Sequence, residues 1–191
     1  MRVLLIDNND SFTYNIVELL RGLDGAAYNV LPSKGLEMSV LEDYSHIIIS
    51  PGPMTPSDFP ELNGVIAFCV ERDKPLLGIC LGHQAICEYF GGRLIRMDNI
   101  VHGHKESIEI DNHSSIYCDL PDSIDVGLYH SWKIDHHDLP GQLMITGMSR
   151  EDCLMSVQHK SKMIFGIQFH PESFLTVRGR QIMENFTNLK A

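Results

Sequence analysis

The sequence predicts an α/β protein in which a mixed, mostly parallel sheet lies between helices. In the first half, short β-branched runs alternate with stretches of helical periodicity, an order typical of a parallel sheet covered on both faces. In the second half, strand-like runs follow one another across short turns, which indicates an antiparallel extension of the sheet. With 191 residues and neither an internal repeat nor a flexible linker, the chain is predicted to form a single domain over residues 1–191.

Apolar runs and turn residues delimit the elements of the first half. A buried strand is predicted at residues 2–6, and residues 7–11 form a turn rich in side chains that cap helices. Beyond that turn, Ile16 and Leu20 share one helical face, and Gly22 marks the end of the helix. The further elements predicted in this half are strands at 29–31, 46–50 and 75–79 and helices at 61–71 and 83–90.

The second half is predicted to consist of strands and a closing helix. The strand-like runs lie at residues 105–110, 126–129, 142–148, 154–158 and 163–169. Residues 177–189 place Ile182, Met183 and Phe186 on one face, which is the pattern of an amphipathic helix.

The charge balance argues against two classes of partner. Acidic residues outnumber basic ones by 25 to 15, a net charge of −10, so neither nucleic acid nor an anionic membrane is expected as a partner. The apolar runs are far shorter than the roughly 20 residues that a membrane-spanning helix needs. Because the first residues turn acidic at Asp7 and leave no room for a secretion signal, a cytoplasmic location is expected.

The cysteines are expected to be reduced thiols. Their number, 5, is odd, and no Cys-x-x-Cys pair occurs, so a disulfide framework is not predicted. Most of them are expected to be small buried side chains. The surroundings of Cys80, in contrast, indicate chemistry.

Cys80 lies in a Gly-x-Cys-x-Gly sequence at residues 78–82, between a predicted strand and a predicted helix. With serine in the same place, this arrangement forms a nucleophile elbow, in which the glycines allow a tight turn that exposes the nucleophile. The helix that follows would direct its dipole and free amides at the sulfur and favour the thiolate. The alternative, a buried core thiol that precedes a helix, is disfavoured by this placement.

Two further turns also follow predicted strands. His170 and Glu172 come after the strongest late strand, where they could act as a base and its orienting carboxylate. The Pro51-Gly52-Pro53 turn offers the amide of Gly52 as a donor to an oxyanion. The carboxyl ends of parallel strands form the usual ligand edge of an open sheet, which favours a shared site. A structural histidine and a plain proline turn remain the alternatives.

Two histidine clusters and one acidic cluster are weaker indications of a functional site. The sequences His102-Gly103-His104 and His136-His137-Asp138 resemble metal ligands, but neither has a third and fourth partner at zinc spacing. Surface histidines and no metal site are therefore expected. The acidic run at residues 7–10 could bind Mg²⁺, as similar clusters do in phospho-acceptor domains, but a helix-capping turn is favoured.

Together, these motifs resemble the class I (triad) glutamine amidotransferases over essentially the whole chain. Residues 78–84 match the family's nucleophile motif, and residues 169–173 match its His/Glu motif. Residues 7–15, 129–131 and 184–186 look similar to the component II subunits of anthranilate synthase and of aminodeoxychorismate (para-aminobenzoate) synthase. The fold that the resemblance implies is flavodoxin-like, which agrees with the prediction from the element order.

The resemblance implies a role for each site residue. Cys80 would be the nucleophile, His170 the base and Glu172 its orienter, in a glutaminase that hydrolyses L-glutamine through a Cys thioester. The amides of Gly52 and Leu81 would form the oxyanion hole. The residues implied to bind glutamine are Gly52, Pro53, Met54, Gln84, Ser131 and Trp132.

The resemblance also implies a partner. The ammonia would pass to a large chorismate-binding synthase subunit, component I, and no cofactor is implied in this chain. Anthranilate synthase, which serves tryptophan biosynthesis, is the favoured assignment. Aminodeoxychorismate synthase, which serves folate biosynthesis, or a component shared by both is the alternative. A free-standing Cys hydrolase is disfavoured by Gln84 after the elbow, and a non-enzymatic flavodoxin-like module by the elbow itself.

Three positions depart from the residues usual in this family. Met54 stands where glycine is usual, Leu128 where arginine is usual and Trp132 where leucine is usual. The departures leave the implied triad intact. They bear on the shape of the glutamine pocket and on the choice of partner.

Overall fold

The computed structural model describes residues 1–97 and 101–190, which form a nine-stranded mixed sheet, a two-stranded sheet and four α-helices. The helices are α1 (Thr13–Arg21), α2 (Glu61–Glu71), α3 (Leu81–Tyr89) and α4 (Gly179–Thr187). The strands of the first half are β1 (Arg2–Asp7), β2 (Ala27–Pro32), β3 (His46–Ile49) and β4 (Leu76–Ile79). Those of the second half are β5 (Leu94–Arg96), β6 (His104–Ile110), β7 (Ser123–Leu128), β8 (Trp132–Ile134), β9 (Leu143–Ser149), β10 (Leu154–His159) and β11 (Ile164–Ile167).

The large sheet has a parallel part and an antiparallel part. Its order is β2-β1-β3-β4-β11-β10-β9-β6-β7. The first five strands in this order, which end with β11, are parallel to one another. The remaining neighbours pair antiparallel. Because Ile167 of β11 pairs with Ile79 of β4, these two strands end at the same edge of the sheet. The predicted α/β fold, a mixed sheet with a parallel core and an antiparallel extension, is confirmed.

The apolar sequence of the parallel strands follows from burial on both faces. Val3 and Leu5 of β1 belong to the core that α1 and α4 cover, whereas Leu4 and Ile6 belong to the core under α2 and α3. Successive side chains of a strand point to opposite faces, so a strand between two helical layers is apolar throughout. Every residue of β3 and β4 is buried for the same reason.

Short elements and strand ends differ from the predictions. β5 and β8 form a separate antiparallel pair that was not predicted, because strands of three residues are too short to show alternation. The strand predicted at 163–169 ends at Ile167. The turn at residues 7–11 is organised by Asp7, whose Oδ1 accepts hydrogen bonds from the Asn9 amide and from Thr13 Oγ1, and α1 has no side-chain cap at its first position.

Two further expectations concern the thiols and the membrane. All of the cysteines are free. Within the two described stretches, no helix combines the length and the apolar character needed to span a bilayer.

Gly78 and Gly82 allow β4, α3 and β3 to approach one another closely. A Cβ at Gly78 would lie 2.4 Å from the carbonyl carbon of Gly82, and one at Gly82 would lie 2.6 Å from the Ile49 carbonyl oxygen. Both obstacles are backbone atoms, which cannot rotate away. The packing around the elbow therefore requires glycine at both positions.

We expect Gly78→Ala to lower the free energy of unfolding by about 1–3 kcal/mol or more, the usual cost of overpacking. Gly141→Ala is the matched control, because a Cβ at Gly141 meets no atom of the described residues within 4 Å. Urea unfolding of both variants and the wild type measures the difference. A Gly78→Ala protein as stable as the wild type would contradict the close packing.

Candidate active site

The three turns singled out in the sequence meet at the carboxyl edge of the parallel strands. The elbow follows β4, the Pro51-Gly52-Pro53 turn follows β3, and His170 lies just beyond β11. A cavity of about 270 Å³ opens beside the elbow and the Gly52 turn, a size suited to a small metabolite, and its lining does not include His170 or Glu172. Its lining includes Cys80 and all of the residues implied to bind the substrate: Gly52, Pro53, Met54, Gln84, Ser131 and Trp132.

Cys80 occupies a strained backbone conformation between β4 and α3. Its φ of 51° and ψ of −98° lie in a region that residues with a side chain rarely adopt. Its amide donates to the Ile167 carbonyl at 2.8 Å, and its carbonyl accepts from the Gln84 amide at 3.0 Å. Hydrogen bonds on both sides thus hold the strained turn. The thiol lines the cavity although Cys80 is only 7% exposed, which is the geometry of a nucleophile elbow.

The Gly52 turn packs directly on the elbow. A Cβ at Gly52 would lie 2.4 Å from Leu81 Cδ2 and 2.8 Å from Asn8 Cβ, so any larger residue would have to displace these side chains. Leu81 is the first residue of α3, where helix amides have no intrahelical acceptor. Within the described chain, the amides of Gly52 and Leu81 donate to no protein atom. Two free amides beside the thiol could stabilise a negatively charged oxygen.

His170 and Glu172 form a buried pair next to the elbow. Nδ1 of His170 lies 2.7 Å from Oε1 of Glu172, and the side chains are 2% and 0% exposed. The pair forms across a turn at residues 171–172. The rings of Phe12 and Tyr129 flank the imidazole, with centroids 5.0 Å and 4.9 Å away. Nε2 of His170 has no hydrogen-bond partner among the described residues, so it is the nitrogen left for proton transfer.

The electrostatics distinguish His170 from the other buried histidines nearby. Burial lowers the pKa of His170, but the Glu172 carboxylate and the Cys80 thiol outweigh burial and raise the pKa above its ordinary value. Burial lowers the pKa of His130 to about 4 and that of His83 to about 3, so both are neutral at pH 7. Of these three histidines, His170 is therefore the one that can hold a proton beside Cys80.

Gln168 is a site residue that the sequence patterns did not reveal. Its Nε2 donates to Cys80 Sγ at 3.5 Å, and its Oε1 accepts from Gln84 Nε2 at 3.1 Å. Gln84 Nε2 also donates to the Trp132 carbonyl at 3.1 Å. A line of polar contacts thus joins the far wall of the cavity to the thiol. The available signal was a polar residue at the end of an apolar strand, two positions before His170.

Three more lining residues were not predicted: Asp10, Tyr129 and His130. Asp10 follows β1, which ends at the same sheet edge, and the other two directly precede Ser131. Their position beside predicted elements was the available signal. They add a carboxylate and two ring side chains to the cavity wall.

The three departures from the family pattern fall in different places. Met54 lines the cavity, is 63% exposed and has φ 65°, a left-handed conformation that favours glycine. Trp132 begins β8 and lines the opposite wall. Leu128 is buried in the core and does not reach the cavity. Met54 and Trp132 therefore change the pocket, whereas Leu128 changes the packing below it.

Comparisons with known proteins find one family and its members over nearly the full length of the chain. The family model named glutamine amidotransferase class-I matches residues 4–189. A Haemophilus influenzae protein provisionally named anthranilate synthase component II is 43% identical, over 97% of this chain and 95% of that protein. Anthranilate synthase component 2 of Cyanophora paradoxa is 39% identical, over 97% and 98%.

One further sequence relative and one solved structure are similar to the chain but have other names. An aminodeoxychorismate synthase of Streptomyces pristinaespiralis is 35% identical over 99% of this chain, which corresponds to 26% of that longer protein. A crystal structure from Thermoplasma acidophilum, of a protein provisionally named as one of the subunits of GMP synthase, has a TM-score of 0.87 and 27% identity. The match covers 97% of this chain and 92% of the Thermoplasma protein.

Proposed function

Because the chain belongs to the class-I glutamine amidotransferases, we propose that it hydrolyses L-glutamine at the Cys80 cavity and supplies the ammonia to a chorismate-using synthase. The cavity at Cys80 is the main observation that supports the proposal. Its lining includes Cys80, with its strained backbone, and Gly52, with its free amide. Outside the lining, the free amide of Leu81 and His170, with its raised pKa, adjoin Cys80. Relatives named anthranilate synthase component II match nearly the full length of both chains, which favours that synthase.

The first half of the proposed reaction forms a thioester and releases ammonia. The Cys80 thiolate attacks the side-chain amide carbon of glutamine, and the carbonyl oxygen becomes negatively charged. The amides of Gly52 and Leu81 stabilise that oxygen, and the loss of one such donor costs about 3–4 kcal/mol in comparable enzymes. Protonated His170 gives its Nε2 proton to the amide nitrogen, the C–N bond breaks and ammonia leaves.

The second half hydrolyses the thioester. Neutral His170 takes a proton from water, whose oxygen attacks the acyl carbon. The C–S bond breaks, glutamate leaves, and the thiolate and protonated His170 are restored. Glu172 stabilises the imidazolium through Nδ1 at each stage in which it forms. Gln168 holds the thiol from its other side.

The cavity also suits the amino-acid end of glutamine. Among the described residues, its lining contains one carboxylate, Asp10, and no lysine or arginine, which favours a ligand with an ammonium group. Gln84 uses its Nε2 within the protein, so its Oε1 is the atom left to accept from such a group. In this arrangement Gln84 and Ser131 hold the end of glutamine that does not react.

Exposed apolar side chains on segments at the carboxyl edge of the parallel strands support docking to component I. Tyr14 is 72% exposed, Val177 is 69% exposed and Phe174 is 90% exposed. Each lies on a segment that leaves the carboxyl end of β1 or β11, and Met54 lies on the segment after β3. Large apolar side chains that remain in water at one edge indicate a protein partner. We assign this surface to component I, the chorismate-binding subunit.

Cys80→Ser is expected to abolish glutamine hydrolysis and to leave the fold intact, because a hydroxyl supplies too little anion at neutral pH. Cys118→Ser is the matched control, since Cys118 is an exposed thiol outside the cavity and should tolerate the change. Glutamate formation measures activity, and urea unfolding measures stability. If Cys80→Ser kept more than about a tenth of the activity, the nucleophile assignment would fail.

We expect slow hydrolysis by the chain alone and much faster hydrolysis with component I and chorismate. Docking can move loops by about 1 Å, which changes rates by roughly 100-fold. The glutaminase rate is measured with component I of anthranilate synthase and with that of aminodeoxychorismate synthase, both from the same cell. Phe174→Ser should weaken the activation, whereas Ile145→Ser, on β9, should not.

A comparison of the activation by the two synthase components distinguishes the possible outcomes. Stronger activation by the anthranilate synthase component supports the assignment made here. Activation by the aminodeoxychorismate component alone reassigns the product and keeps the amidotransferase role. Full-speed hydrolysis by the isolated chain, unchanged by either component, would reject the subunit role and favour a free-standing amidase.

A further inference from the structure

The fold brings three potential metal ligands together outside the active-site cavity. His136 and His137 lie on a 3-10 turn after β8, and Asp152 lies in the turn between β9 and β10. Each residue offers one ligand atom, and these atoms all lie within 4.8 Å of one another. No metal was expected here, because the neighbouring sequence offers no third ligand at a recognisable spacing. The fold supplies that ligand from a distant hairpin.

We propose that His136, His137 and Asp152 bind a divalent transition-metal ion such as Zn²⁺. Nε2 of His136 and Oδ1 of Asp152 lie 3.3 Å apart. Two ligands held tetrahedrally at about 2.0–2.1 Å from Zn²⁺ are separated by about 3.3–3.4 Å. This pair therefore already has the separation of two zinc ligands. The ligand atom of His137 lies within 4.8 Å of the other two, so it has to approach them by at most about 1.5 Å to reach the separation of zinc ligands.

The backbone that carries the ligands is held in place without a metal. The side chain of Asp135 accepts from the His137 amide at 3.2 Å and forms an ion pair with Arg93. The side chain of His136 is 16% exposed, so little of its freedom remains to be lost on binding. Asp152 has φ 59°, and its amide donates to the Ser149 carbonyl at 3.3 Å. A site built on fixed turns loses less entropy when the ion binds.

The donor set selects the class of metal. Two imidazoles favour zinc, nickel, cobalt or copper, whereas magnesium and calcium prefer oxygen ligands only. Three protein ligands leave an open coordination position for water. The Asp152 side chain is 69% exposed, so the ion can enter directly from solvent.

Metal binding would join two parts of the fold that are separate in the sequence. The turn with the histidines follows β8, whose first residue, Trp132, lines the active-site cavity. None of the three ligands lines that cavity. The ion would therefore fasten the β8 turn to the β9–β10 hairpin and stabilise the folded state by mass action.

The test is a titration of the full chain with Co²⁺, followed by visible absorption, together with thermal unfolding in increasing Zn²⁺. Cobalt is chosen because its spectrum distinguishes histidine and carboxylate ligands from thiolates such as Cys80 and Cys118. We expect one saturable Co²⁺ site per chain without a thiolate band, and a Tm that rises with Zn²⁺. Asp152→Asn and His136→Ala should each weaken Co²⁺ binding by more than roughly tenfold.

The matched controls are Asp138→Asn and His104→Ala, which change an acid and an exposed histidine outside the cluster. Both should bind Co²⁺ as the wild type does. Unfolding without metal checks that each variant is folded. The proposal is overturned if Asp152→Asn and His136→Ala bind as the wild type does, if only a thiolate band appears, or if no binding occurs at millimolar Co²⁺. In the last case His136 and Asp152 form an ion pair only.

Discussion

The close approach of three backbone segments at the elbow is the constraint on which the proposed chemistry depends. Gly78, Gly82 and Gly52 each lie where a Cβ would meet another atom at 2.4–2.6 Å. Cys80 lies within this packing in its strained conformation, and its thiol lines the cavity. It also puts the free Leu81 amide beside the Gly52 turn. The proposed nucleophile and the proposed amide donors thus depend on the same packing.

The buried pair of His170 and Glu172 is the second feature on which the proposed chemistry depends. A neutral histidine would suffice for structure, as His83 and His130 show with their lowered pKa values. His170 differs because a carboxylate with no access to solvent, Glu172, accepts from its Nδ1. Burial by itself favours the neutral form of His170, but burial also strengthens the attraction between protonated His170 and Glu172. The balance favours the protonated imidazole, which a thiolate nucleophile requires as its partner.

The sequence predicted those features that local patterns encode. The elbow, the Gly52 turn and the pair of His170 and Glu172 each occupy a few consecutive residues, and parallel strands bring such turns to one edge. Gln168 was missed because its importance arises from contacts with Gln84 and Cys80, which are far away along the chain. Strands β5 and β8 were missed because three residues show no periodicity. The position of Asp152 beside two histidines likewise depends on tertiary structure alone.

The most direct test of the central claim is covalent labelling by a glutamine analogue that carries a diazoketone in place of the side-chain amide. Intact-mass measurement and peptide mapping then show how many thiols react and which ones. The account predicts one adduct per chain, on Cys80, although Cys80 is 7% exposed and Cys118 is the exposed thiol. Labelling that follows exposure, on Cys118 with Cys80 unmodified, would contradict it.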